Sequence, residues 1–340
     1  MLGKSPNQTP EAFDLPVKSS SYAYGAPLLK SANHTQLENT PMNGNYCDVT
    51  SFELAENTWN GWVKGPNGVM LEVAEASGNH YARFENFTGN LLGIIIEKTI
   101  TELTAGVDYC ISIRLKRLGQ SDRTPTLTWL VDGAQQGLPL PVECRDWHVL
   151  RTRFKASSST HRVMLQGRDS IGQDNGADFC FDDLRIYPAQ LEEDFSGHQQ
   201  KIIKPGEQLD GRCMVISLLP DAYGQSGIQI HTTPVDGMQQ GEGLVLSRNV
   251  SNQDPPQQVH IRLKGEYSSV QFSWTWIHHP ASVEFLDHKG ESLGSIDVLP
   301  AQGLHQRLSF ETENAEDYVS ELLITCSDFS YLDNFKFEAK

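Results

Sequence analysis

The stretch "DFCFDDLRI" at residues 178–186 is echoed by "DFSYLDNFKF" at residues 328–337. Both runs are dense in aromatic and aliphatic residues, both open on Asp-Phe, and both carry aspartate where a strand would be expected to stay apolar. Content of this kind fits a closing strand that pairs on both sides and turns one face inward. A carboxylate inside such a strand is costly unless it is paired, hydrogen-bonded or bound to a cation. Two closing strands in a chain of 340 residues predict two sandwiches in series, each near the usual size of a domain.

Outward from these phrases the chain is written in short alternating runs. "GIIIEKTI" (93–100), "DYCISIRLKR" (108–117), "PTLTWLVDG" (125–133), "WHVLRTRF" (147–154) and "RVMLQG" (162–167) read as strands separated by turn residues. In "YCISIRL" the side chains of Tyr109, Ile111, Ile113 and Leu115 share one face, while Cys110, Ser112, Arg114 and Lys116 take the other. The second half repeats the grammar in "GLVLSRNV" (243–250), "QQVHIRLKG" (257–265), "SSVQFSWTWIHH" (268–279) and "LHQRLSFET" (304–312). A period of two at close spacing, with little helical pattern between, is the signature of antiparallel sandwiches. The expected organisation is an extended segment over 1–44, a first β-sandwich over 45–190 and a second over 191–340, with "YPAQLEEDF" (187–195) at the boundary.

Charge narrows the partners. The net charge is −16, and residues 191–340 hold 22 acidic against 10 basic side chains. Phosphate backbones and anionic lipid repel such a protein, so nucleic acid is not an expected partner. No apolar run is long enough to span a membrane as a helix, and the N-terminus has no apolar stretch with a small-residue cleavage site, so no secretory signal is expected there. The six cysteines show no metal-binding spacing, and their pairing is open. Cys110 and Cys180 sit mid-strand, as small buried hydrophobes do.

Catalytic frames are missing. There is no HExxH or glycine-rich phosphate loop, and His278 and His279 are strand neighbours that point to opposite faces. The expectation is a non-enzyme, with one alternative: a glycoside hydrolase whose carboxylate pair is concealed among the 43 acidic residues.

Residues 46–187 resemble a carbohydrate-binding module of the galactose-binding-like jelly-roll type. The likeness is carried in order by "SFELAENTWNGW", "LTAGVDYCISIRLK", "PTLTWLVDG", "DWHVLRTRFKASSSTHRVMLQG" and "ADFCFDDLRI". Residues 192–338 resemble the same class through "EDFSG" and "FSYLDNFKF". The resemblance implies two tandem all-β jelly-roll domains and attachment to a glycan or cell-surface polysaccharide. Location stays open, since the chain either remains inside, leaves by a route that needs no secretory signal or is a piece of something longer. The favoured setting is the cell surface or exterior, alongside other domains of a larger surface or secreted protein. The resemblance further implies a structural Ca²⁺ between opening and closing strands, with Glu53 and Asp182 as ligands in the first domain and Asp194 and Asp333 in the second. Read without the resemblance, the same carboxylates have another use, accepting backbone N–H groups at a strand end.

The resemblance also places Trp62 and Trp147 in the core. Face parity puts Trp129 inside with Leu127 and Val131, and Trp274 and Trp276 inside with Val270 and Phe272. Trp59, with polar neighbours on both sides, is then the exposed aromatic. A sugar-binding face needs aromatic planes beside polar groups, and the candidate ligand-binding set is Trp59, Tyr81, Arg83, Arg114 and Arg151. The alternative is a solvated outer face on a spacer or protein–protein interaction domain with no small ligand.

Overall fold

The computed structural model describes residues 46–53, 59–85, 91–118, 124–168, 178–231, 241–251 and 254–340, and among them every regular element is a β-strand. The first sandwich contains β1 (Asp48–Thr50), β2 (Val63–Lys64), β3 (Leu71–Ala76), β4 (Asn79–Phe84), β5 (Gly93–Ile100) and β6 (Asp108–Arg117). It continues with β7 (Thr126–Val131), β8 (Ala134–Pro141), β9 (His148–Lys155), β10 (His161–Gly167) and β11 (Phe179–Pro188). One sheet runs β3-β4-β11-β6-β9, with β1 also on β11, and the other runs β2-β5-β10-β7-β8. All pairings are antiparallel.

Period-two alternation gives each sheet one apolar face, and stacking the two faces forms the core. Ile111, Ile113 and Leu115 from β6 meet Phe179 and Phe181 from β11 and Trp129 from β7, all fully buried.

The second sandwich contains β12 (Gln190–Glu193), β13 (Lys201–Ile203), β14 (Gln208–Asp210), β15 (Met214–Leu218), β16 (Gln225–His231), β17 (Gly241–Arg248) and β18 (Gln257–Tyr267). Then follow β19 (Ser269–Ile277), β20 (Ala281–Leu286), β21 (Ser292–Val298), β22 (Ala301–Glu311), β23 (Val319–Cys326) and β24 (Ser330–Glu338). Its sheets run β13-β16-β17-β24-β19-β22, with β12 also on β24, and β14-β15-β18-β23-β20-β21. Trp274, Phe272, Phe285 and Phe335 centre its core.

The echo in the sequence is a structural repeat. In the first sandwich β4 and β1 lie end to end along one side of β11, with β6 on the other. In the second, β17 and β12 flank β24 in the same way, with β19 opposite. The residue after each central aspartate adopts a left-handed backbone, Asp183 at φ 47° and Asn334 at φ 54°. Both sit where the ladder to the neighbouring strand shifts register, so each is a β-bulge that bends its closing strand.

The junction between the sandwiches is buried. β11 passes into β12 through Ala189, whose N–H bonds the carbonyl of Asp108 at 2.8 Å and whose carbonyl accepts from Ala339 N at 2.8 Å. Tyr187, at the end of β11, and Cys110, on the outer face of β6, join the hydrophobic core of the second sandwich. Tyr187 meets Tyr267 edge to face at 5.4 Å. Gly265 is required here by close approach, because a Cβ at that position would lie 2.7 Å from ring atoms of both Tyr187 and Tyr267. A disulfide between Cys47 and Cys213 adds a covalent tie across the same boundary. Cys110 and Cys180 are buried free thiols.

Candidate functional site

The outer face of the first sandwich's β3-β4-β11-β6-β9 sheet has two halves, divided at the bulge of Asp182 and Asp183. On one side of it Arg185, Tyr187 and Arg151 face the second sandwich. Arg151 donates through Nε to the Tyr187 hydroxyl at 3.1 Å, pairs with Glu266 and lies over the Tyr318 ring at 3.3 Å. Arg151, expected among the ligand-binding residues, is therefore a buried contact between sandwiches. Parity placed it correctly on the outer face, but that part of the face is covered.

On the other side of the bulge the sheet stays open and forms a cleft of about 170 Å³ lined by Ala76, Asn79, Tyr81, Arg114, Lys116, Trp147 and Asp182. The β3–β4 hairpin builds one wall. Its two-residue turn, Ser77 and Gly78, has φ of 56° and 83°. This handedness matches the twist of the flanking strands and needs a glycine at its second position. Asn79 and Tyr81 then project outward while Ala82 and Phe84 are buried in the core.

Trp147, immediately before β9, forms the opposite wall. It meets Tyr81 edge to face, with ring centroids 6.1 Å apart. The Lys116 ammonium lies beside both rings, 5.4 Å from the Tyr81 centroid and 4.6 Å from that of Trp147, within cation–π range. The core position expected for Trp147 is thus corrected: it is half-buried and faces the cleft.

Asp182 is the floor of the cleft and 6% exposed. It accepts from Asn79 Nδ2 at 3.1 Å and from the Asp183 backbone N–H at 2.7 Å. Burial, and then the charge of Asp183, push its carboxyl up to about 7. Arg114 pairs with Asp183 at 2.8 Å. Of the other expected ligand-binding residues, Arg83 shares the Tyr81 face but pairs with Glu85. Trp59 lies outside the cleft in a turn, its ring 5.2 Å from Phe52 and packed partly against the core.

The carboxylates expected to hold Ca²⁺ are engaged by protein donors. Glu53 accepts from the backbone N–H of His80 at 2.8 Å and lies 2.9 Å from its Nδ1; that hydrogen bond raises the imidazole above its ordinary value. Asp194 accepts from Ser196 N at 3.0 Å. Asp333 accepts from Asn334 N at 2.7 Å and faces His231 Nε2 at 3.4 Å. Among the described residues no group of three His, Cys, Asp or Glu side chains is placed to hold a metal ion. An internal cation fastens the opening strand. Lys98 Nζ lies 2.5 Å from Asp48 Oδ2 and 2.5 Å from the Asn60 carbonyl.

The equivalent face of the second sandwich is aromatic as well. Trp276, expected inside, adopts φ 63° at a register shift in β19 and packs with Tyr331, Phe329, Ile202 and Val245, apart from the core. His231 lies over the Tyr331 ring at 5.3 Å.

Comparison with solved structures brings carbohydrate-binding modules to this chain. It is similar to the EclA C-terminal domain, a sugar-binding protein, at 31% identity over 41% of this chain and 97% of that one, with a TM-score of 0.29. It is similar to the N-terminal CBM22-1–CBM22-2 tandem domain of Paenibacillus barcinonensis Xyn10C at 14% identity, over 88% of this chain and 100% of that one, with a TM-score of 0.34. The CBM22-1 xylan-binding domain of the same protein is 20% identical over 44% of this chain and 97% of that one, also with a TM-score of 0.34. No protein-family model matches the chain, and no curated protein does. By its own architecture the chain is a tandem of two antiparallel jelly-roll β-sandwiches.

Proposed function

We propose that this chain is a non-catalytic attachment module that binds carbohydrate in the open cleft of its first sandwich. The observation that carries the reading is the convergence of Tyr81 and Trp147 on a pocket that also presents Asn79, Arg114, Lys116 and Asp182. Aromatic faces cover the C–H faces of a sugar ring while the polar groups meet its hydroxyls. The cleft is smaller than the roughly 300 Å³ at which drug-sized sites begin, a scale suited to one sugar residue of a longer chain.

Binding without cleavage fits the lining, which presents one carboxyl group, Asp182, rather than the pair that glycoside hydrolysis uses. A glycan target at a cell surface or outside the cell also suits the Cys47–Cys213 disulfide, since such bonds persist in oxidising compartments.

The test is affinity electrophoresis on a polysaccharide panel, followed by calorimetry on whichever polymer retards the protein. Trp147→Ala and Tyr81→Ala should each weaken binding about tenfold, the equivalent of ~1.4 kcal/mol, with little change in melting temperature. A wild-type protein retarded by no polymer, or a Trp147→Ala protein that binds as wild type does, would sink the reading.

A further inference from the structure

We propose that the sugar held in this cleft is acidic, a uronic acid whose carboxylate meets the Lys116 ammonium. The proposal rests on the carbohydrate-binding reading above and assigns that site its ligand class.

Three arginines on this face are matched by carboxylates. Arg83 is paired with Glu85, Arg114 with Asp183 and Arg151 with Glu266. Lys116 departs from this pattern. Its described contacts are two aromatic rings, Tyr81 and Trp147, and none of the described carboxylates pairs with it. An ammonium whose described contacts are ring faces has hydrogen-bond donors to spare. It stands in the cleft of a protein whose net charge is −16, so attraction for an anion here is local and runs against the field of the molecule as a whole.

Ring geometry adds a second constraint. A sugar seated against Trp147 and Tyr81 is placed beside Lys116, because the same ammonium is near both rings. A substituent that reaches Lys116 from that position gains most if it is anionic.

The experiment sets polygalacturonate, alginate and hyaluronan beside their carboxyl-reduced neutral forms, in affinity electrophoresis and calorimetry. The acidic form of at least one polymer should bind at least tenfold more tightly than its reduced form. Lys116→Met should erase the preference and Lys116→Arg should keep it, both with unchanged melting temperature. Equal binding of the acidic and reduced forms, or a preference that survives Lys116→Met, overturns the proposal. If only neutral polymers bind and Trp147→Ala abolishes that binding, the cleft is a carbohydrate site and the acidic assignment alone is wrong. If nothing binds, both readings fall together.

Discussion

Asp182 and Glu266 are both almost fully enclosed, at 6% and 2% exposure, yet their surroundings drive them in opposite directions. At Asp182 burial dominates, and the neighbouring Asp183 adds repulsion, so the carboxyl stands at about 7. At Glu266 burial also favours the neutral acid, but Arg185, Arg151 and Arg114 outweigh it and hold the group down to about 2. The consequences for stability have opposite signs. The folded protein keeps a proton on Asp182 that the unfolded chain has released, so the contribution of this group is complete below about pH 4 and is lost as pH rises through 7. Glu266 contributes above the unfolded value, near 4.5, and that contribution is lost as pH falls towards 2. Urea melts from pH 3 to pH 8 should therefore show Asp182→Asn gaining on wild type between pH 5 and pH 8, by up to ~4 kcal/mol at about 1.4 kcal/mol per pKa unit. Glu266→Gln should lose about 3–5 kcal/mol at neutral pH, because it leaves buried guanidinium groups without their counter-charge, and should lose less in acid. An Asp182→Asn protein less stable than wild type at pH 8 would contradict the burial account.

At the scale of the strand, the closing elements β11 and β24 owe their shape to one left-handed residue each. Asn334 at φ 54° occupies a conformation that asparagine and glycine tolerate and β-branched side chains do not. Asn334→Val should lower stability by about 1–3 kcal/mol in chemical denaturation, whereas Asn334→Gly should stay much nearer wild type. Equal losses in the two variants would remove backbone conformation as the cause. These bulges also mark where face parity read from the sequence ends. Alternation along β6 and β4 was enough to place Tyr81, Arg114 and Lys116 on the outer face, and the repeated closing phrase was enough to foresee two sandwiches. Trp276 defeated the same rule, because a register shift with φ 63° turns it outward where parity points in. Trp147 precedes the first paired residue of β9, so alternation assigns it no face. Arg151 obeys parity, but the half of the sheet lying under the second sandwich is set by tertiary packing that no local pattern contains.

The whole molecule is held by that packing and by one covalent tie. Cys47 and Cys213 are 166 residues apart in sequence, so the bond closes a very long loop across the boundary between sandwiches. In the chain-entropy treatment a loop of this length destabilises the unfolded state by roughly 5 kcal/mol, and native disulfides typically contribute about 2–5 kcal/mol when measured by removal. Wild-type protein in reductant and the Cys47→Ser/Cys213→Ser variant should therefore melt at similar, lower temperatures than the oxidised protein. The sandwiches should nevertheless stay docked, since Arg151–Glu266, Arg151 over Tyr318 and Tyr187 against Tyr267 do not depend on the bond. Small-angle scattering of the reduced protein at 25 °C should give the radius of gyration of the oxidised form. An unchanged melting temperature would mean the disulfide stabilises nothing beyond the existing interface. An expanded radius would mean the bond, rather than the Arg151–Glu266 contact, covers the second half of the outer face, and reduction would then widen the surface open to ligand.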